Sequence, residues 1–238
     1  MNRFFDIPSD LQHSWFGLIG LHLREALLPV LAGLVVALPI AQLCVRFRWL
    51  YAPVLGLTTV LYAIPSLAFF VVLIDYTGQT ELTVMIPLAV YSLVVLVPAI
   101  VDGVRSVPQE TLAAATAMGL GPLRRYVQVQ LPIAVPAIIA GLRVATVSSI
   151  SLVSVGMLIG NQGALGNLLH DATSYHRPEL AVNSVVTTAA LAVLVDAALV
   201  GVRLLLTPWM PRSTRRGKTK PTDDRPEPAV SALEDAVR

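Results

Sequence analysis

The chain reads as an all-α membrane protein with about five transmembrane helices, and three observations predict it. Of 238 residues, 55% are hydrophobic and only 13% charged, about half the charged share of a soluble domain. Mean hydropathy is +0.71. Apolar runs of twenty residues or more recur, long enough to cross a hydrocarbon core of about 30 Å. Polar residues gather in an island, Asp102–Gln130, rather than alternating with the apolar ones. No repeat of solenoid length is visible, so a stacked-repeat fold is excluded.

Taken in order, residues 1–25 hold Trp15, Phe16, His13 and His22, a mix suited to an interfacial segment on the outer side. They lack the ordered charged, apolar and small-residue regions of a removable signal peptide, so the first span is expected to remain. The predicted spans are Ala26–Val45, Ala52–Ile74, Leu82–Val101, Ile133–Ile159 and Leu180–Leu206, within a transmembrane domain of residues 26–207. Cys44 is the only cysteine, which excludes an internal disulfide and a cysteine metal cluster. Pro29, Pro39, Pro53, Pro65, Pro87, Pro98 and Pro136 fall in or near spans, and each removes a backbone hydrogen bond. They serve either bending during transport or static packing. Gly160, Gly163 and Gly166 predict a tight turn on the outer side. Residues 208–238 are rich in Pro and charge and read as a disordered tail, with a basic start suited to anionic lipid.

The island carries the sharpest pattern. Pro108 suits a first helical turn, with Ser106 as a possible cap and Glu110 at the positive end of the dipole. Ala113-Ala114-Ala115-Thr116-Ala117 favours helix. Gly119 and Gly121-Pro122 end that helix and start another. Nine residues separate Gly119 from Val129-Gln130-Leu131-Pro132. This spacing resembles the cytoplasmic "EAA" loop of ABC importer permeases: Glu-Ala-Ala, three residues, Gly, nine residues, Ile-x-Leu-Pro. In that family the loop docks into a groove on a separate ATPase. The acidic first position is Ala113 here, and Glu110, one turn earlier, is either its replacement or only a dipole partner.

Basic residues give the orientation. Arg46 and Arg48, the island's Arg105, Arg124 and Arg125, and the tail together hold 12 of the 17 Lys and Arg residues. Placing all three regions in the cytoplasm puts the N-terminus outside, the C-terminus inside and the island facing the ATPase side, as the resemblance also requires.

Inside the spans, Thr146, Ser148, Ser149, Ser151 and Ser154 suggest a polar stripe on one helical face, for an aqueous path or for interhelical packing. Arg143 lies about 10 Å into the fourth span and Asp196 about 15 Å from the end of the fifth, by helical rise. Charges so deep pair or face water, so the two are expected to interact, within this chain or across a dimer. Tyr62, Phe69, Phe70 and Tyr91 offer either cation–π faces to an ammonium group or packing. His170 and His176 with Asp171 and Glu179 lack ligand spacing and read as solvated outer-loop residues, so no metal is expected.

Tyr62-Ala63-Ile64-Pro65-Ser66-Leu67-Ala68, Leu131-Pro132, Ala140-Gly141-Leu142-Arg143 and the glycine turn narrow the resemblance to permeases for glycine betaine, choline, carnitine and related osmoprotectants. That resemblance, over residues 20–207, implies the type I ABC importer fold and a plasma-membrane location. It also implies two ATPase subunits, a second identical or homologous permease chain and a separate extracytoplasmic solute-binding protein. It makes Glu110, Ala113, Ala114, Ala115, Gly119, Leu131 and Pro132 the coupling residues. Tyr62, Pro65, Ser66, Ser148, Ser151 and Ser154 become candidates for the path or for packing. ATP and Mg would sit on the ATPase, with no catalytic residue, cofactor or nucleic acid on this chain. The competing class, a carrier driven by an ion gradient, would need several intramembrane acids, and Asp196 is nearly alone.

Overall fold

The computed structural model describes residues 9–159 and 164–209, with side chains from Trp15 onward except Met157. All regular structure among these residues is helical. Residues 1–207 form one unit and residues 208–238 cluster separately. The expected tail lies almost wholly outside the described residues, as does the start of the glycine turn.

The first helix, α1 (Ser9–Arg46), runs 38 residues, far beyond the predicted span. The polar side chains before Ala26 do not stop it, because none is a breaker and the run from Trp15 is apolar enough to cross a membrane. A 3₁₀ turn, Arg48–Leu50, leads into α2 (Tyr51–Ala63) and α3 (Ser66–Thr77). The sequence predicted one span over Ala52–Ile74; instead α2 and α3 meet at 87°. Pro65 explains the break, since its ring disfavours helical backbone at the preceding residue and it has no N–H to donate. Ile64 accordingly takes extended backbone, φ −66° and ψ 123°.

Pro87 and Pro98 lie inside α4 (Glu81–Arg105) without ending it. The island follows as α5 (Gln109–Ala117), α6 (Pro122–Arg125) and a π-helical turn over Tyr126–Gln130. Then come α7 (Leu131–Val153), a 3₁₀ stretch at Ser154–Ile159, α8 (Asn167–Ser174) and α9 (Pro178–Leu206). Among the described residues, four helices are long and apolar enough to cross a membrane, or five spans if the bent pair is one.

The core is the three-helix contact of α1, α4 and α7, built from Val30, Ala37, Ala41, Leu96, Val97, Ile100, Ala134 and Ala145. Lipid offers no hydrophobic drive between helices, so small residues that let backbones approach decide the packing. A Cβ on Gly141 would stand 2.6 Å from the Ala99 Cβ, and one on Gly103 2.9 Å from that of Ala137. Gly33 lies so close to α4 that a Cβ there would collide with the Ser92 Oγ. By contrast α9 exposes Val182, Val185, Val186, Val193 and Leu194.

Candidate functional site: a coupling loop and a path through the spans

The loop begins where α4 ends. Ser106 Oγ donates to the Gly103 carbonyl at 2.8 Å, so Ser106 closes α4 instead of capping α5 as expected. Pro108 is the N-cap of α5 with extended backbone, φ −58° and ψ 140°, rather than a first-turn residue, and its carbonyl receives the Thr111 N–H at 3.1 Å. Glu110 occupies the first turn and is exposed, like Ala113 and Ala114, while Ala115 is buried against the protein. The helix ends in a Schellman motif: Leu120 N–H donates to the Ala115 carbonyl at 3.1 Å and Gly119 N–H to that of Thr116 at 2.9 Å. That geometry needs positive φ, and Gly119 has φ +80°.

Pro122 opens α6, and the Arg125 Nη1 reaches back to Thr116 Oγ1 at 2.8 Å, tying the two short helices together. The turn leaves Met118, Leu123 and Val127 largely exposed, an apolar knuckle beside the small face of α5. The Leu131-Pro132 pair then sets the entry to α7. Pro132 has no N–H for the carbonyl four residues back, and the ladder loosens into the π turn, where Leu131 N–H donates to the Tyr126 carbonyl. On the other arm, the Arg105 guanidinium lies 4.7 Å above the Tyr51 ring and donates to the Cys44 carbonyl at 3.3 Å. The base of α4 is thus bound to the end of α1, and loop, α4 and α1 are mechanically continuous.

Tyr62, Pro65 and Ser66 all sit at the elbow between α2 and α3. Tyr91 on α4 donates its hydroxyl to the Ile64 carbonyl at 2.9 Å, satisfying a backbone group that the proline break sets free. Tyr62 and Phe69 each meet Tyr91 edge to face, with centroids at 5.8 and 5.9 Å. Phe70, also an aromatic candidate, is fully buried in the cluster with Ala26, Leu88 and Ile150 and faces no path.

The predicted serine stripe divides. Steps of three residues turn a helix by about 300°, so each lags the last by about 60°. Ser148 lines a cavity of about 70 Å³ with Tyr62, Tyr91 and Ser92. Ser151 and Ser154 line a groove of about 310 Å³ with Ser184 and Thr188 of α9. Thr146 and Ser149 are buried, and Ser149 Oγ donates to the Ala26 carbonyl at 2.8 Å. Thr146 and Ser149 thus pack between helices, while Ser148, Ser151 and Ser154 line two separate cavities.

Arg143 and Asp196 meet within one chain. Arg143 Nε lies 2.6 Å from Asp196 Oδ1 and Nη2 lies 2.7 Å from Oδ2, a two-pronged pair joining α7 to α9. The side chains remain about one third exposed. In and just after α8, His170 and His176 are exposed; no three His, Cys, Asp or Glu converge on a metal geometry among the described residues. His22, expected in an interfacial segment, and Glu25, assigned no role from the sequence, are both fully buried on α1. His22 Nε2 lies 2.9 Å from the Ile150 carbonyl on α7. Their spacing of three, inside a run continuous with the first span, was the available signal.

Helices α4 and α7, joined by a helix–glycine–helix loop, form a bundle with a broken second span. Residues 29–211 match the family described as the binding-protein-dependent transport system inner membrane component. The chain belongs to this family. The permease is therefore a multi-pass integral membrane protein, and an ion-gradient carrier is not favoured. It is 30% identical over 196 residues to the carnitine transport permease protein OpuCB of Listeria monocytogenes, covering 82% of this chain and 89% of that one. To the choline transport system permease protein OpuBB of Bacillus subtilis it is 27% identical over 187 residues, 79% and 86% of the two chains. To the osmoprotectant import permease protein OsmW of Salmonella typhimurium it is 30% identical over 192 residues, 79% and 89% of the two chains. A solved inward-facing structure of the MetNI methionine ABC transporter shares the fold, with TM-score 0.72 at 17% identity, covering 84% of this chain and all of that one.

Proposed function

We propose that the permease is the translocating subunit of an ATP-driven importer for a quaternary ammonium osmoprotectant such as glycine betaine, choline or carnitine. The observation that carries the substrate class is that permeases named for these solutes align along most of both chains. The loop geometry supports the coupling role: an exposed small-residue helix and an apolar knuckle, rigidly capped, stand at the end of α4 and the start of α7. ATP and Mg belong to two partner ATPase subunits, a second permease chain completes the path, and a separate extracytoplasmic binding protein delivers solute. The clustered Arg residues at 46, 48, 105, 124 and 125 favour a cytoplasmic loop and C-terminus, with the N-terminus outside.

In this mechanism, ATPase closure binds the loop better in one state than the other, and that difference shifts the bundle between inward- and outward-open populations. Glu110 supplies the acid that position 113 lacks. The test is uptake of labelled choline, carnitine and glycine betaine by proteoliposomes holding the permease, its ATPases and its binding protein. Accumulation of at least one solute that needs both ATP and the binding protein supports the proposal. Uptake driven by an ion gradient without ATP contradicts it.

A further inference from the structure

We propose that the elbow between α2 and α3 carries an organic-cation subsite on the transport path, formed by the rings of Tyr62 and Tyr91 and the hydroxyl of Ser148. This rests on the substrate class proposed above. Tyr62 and Tyr91 line one cavity with Ser148, and Tyr62 is 57% exposed, so a ring face is open to a solute. Tyr91 is fixed from two sides: its hydroxyl is held by Ile64 and Phe69 packs edge to face upon it. Tyr91 itself is only 6% exposed, so it forms the fixed wall of the cavity and holds the open Tyr62 ring edge to face. That spares an ordering cost when a cation arrives at Tyr62.

The polar groups of the cavity divide in a way that leaves the hydroxyls of Ser148 and Tyr62 for solute. Ser92 Oγ donates to the Ala89 carbonyl at 2.7 Å and Ser149 Oγ to Ala26. Ser148 is exposed and makes no hydrogen bond among the described residues. No Asp, Glu, Lys or Arg lines the cavity, and the nearby Arg143 is neutralised by Asp196. A cation therefore meets the open Tyr62 ring, backed by Tyr91, and two hydroxyls, but no counter-ion and no repulsion. Such a site holds it weakly, as a path must if the solute is to leave again. The bend itself brings this about: a straight helix has no proline-freed carbonyl for Tyr91 to hold, and broken spans are tolerated where they line a cavity.

The test uses the complete transporter in proteoliposomes and reads solute moved per ATP hydrolysed for whichever quaternary ammonium compound the wild type takes up. Tyr62→Leu, which removes the ring but keeps apolar bulk, is expected to lower that ratio roughly fivefold, while Tyr62→Phe keeps it within about twofold. Tyr91→Leu is expected to act in the same direction. An unchanged ratio in Tyr62→Leu overturns the subsite. So does equal loss in Tyr62→Phe and Tyr62→Leu, or a loss matched by failure to co-purify the ATPase, since these make the ring a packing element. A wild type that accumulates no quaternary ammonium compound overturns the substrate class and the subsite together. Uptake that ignores the Tyr62 ring overturns the subsite alone.

Discussion

Arg143 and Asp196 show how a single residue pair is constrained inside a membrane. Each would be costly alone, and the two-pronged contact at 2.6 and 2.7 Å offsets the two charges against each other. Breaking the pair from one side leaves an uncompensated charge, whereas replacing both sides leaves none. Asp196→Leu or Arg143→Met alone is expected to lower the monodisperse fraction extracted in mild detergent several-fold, with the double variant recovering most of it. Size-exclusion profiles check this; a double variant no better than either single one would assign the charges to solute rather than to packing. The pair was legible in the sequence, because two isolated charges in separate apolar runs have few other ways to be satisfied. Ser106 and Pro108 were less so. Both are helix-start residues by propensity, and only the place where α4 stops decides that one closes a helix while the other starts the next.

At the scale of the elements, span existence was readable from hydropathy, and boundaries and bends were not. A window average ignores which residue stops a helix, so it misses both the reach of α1 back to Ser9 and the bend at Pro65. Proline alone does not predict a break either: Pro87 and Pro98 sit inside a continuous α4. At Pro65 the chain does break, and Tyr91 satisfies the Ile64 carbonyl that the break frees. Helix crossings depend on contacts no periodicity reports, as at Gly141, where the facing atom is the Ala99 Cβ. Gly141→Ala is expected to destabilise the bundle by about 1–3 kcal/mol through overpacking. Adding Ala99→Gly should restore it, because the same methyl volume is removed from the opposite helix. Thermal unfolding in detergent would show this, and an undiminished midpoint in Gly141→Ala would mean α4 and α7 pack less tightly there than the structure shows.

For the whole molecule, the loop between α4 and α7 matters because those helices, with α1, make the core. The loop joins α4 through the short link at Ser106–Pro108 and α7 through Leu131-Pro132, while Arg105 ties α4 to the Cys44 carbonyl of α1. The elbow with Tyr62 and Tyr91 hangs on α4, so motion of α4 moves the aromatic cluster as well. The helix–glycine–helix shape of the loop could be read from spacing alone, since Gly119 and Pro122 have fixed backbone duties. The partition of the serines between a cavity beside α2 and a groove beside α9 could not, because it depends on what packs around α7. The most direct test is affinity purification of the permease in mild detergent with its ATPase co-expressed, comparing wild type with Gly119→Val. Positive φ at position 119 strains any β-branched residue, so the variant is expected to insert normally and retain little ATPase, while wild type retains it. A wild type that never holds an ATPase, or a Gly119→Val chain that holds it equally well, would contradict coupling through this loop.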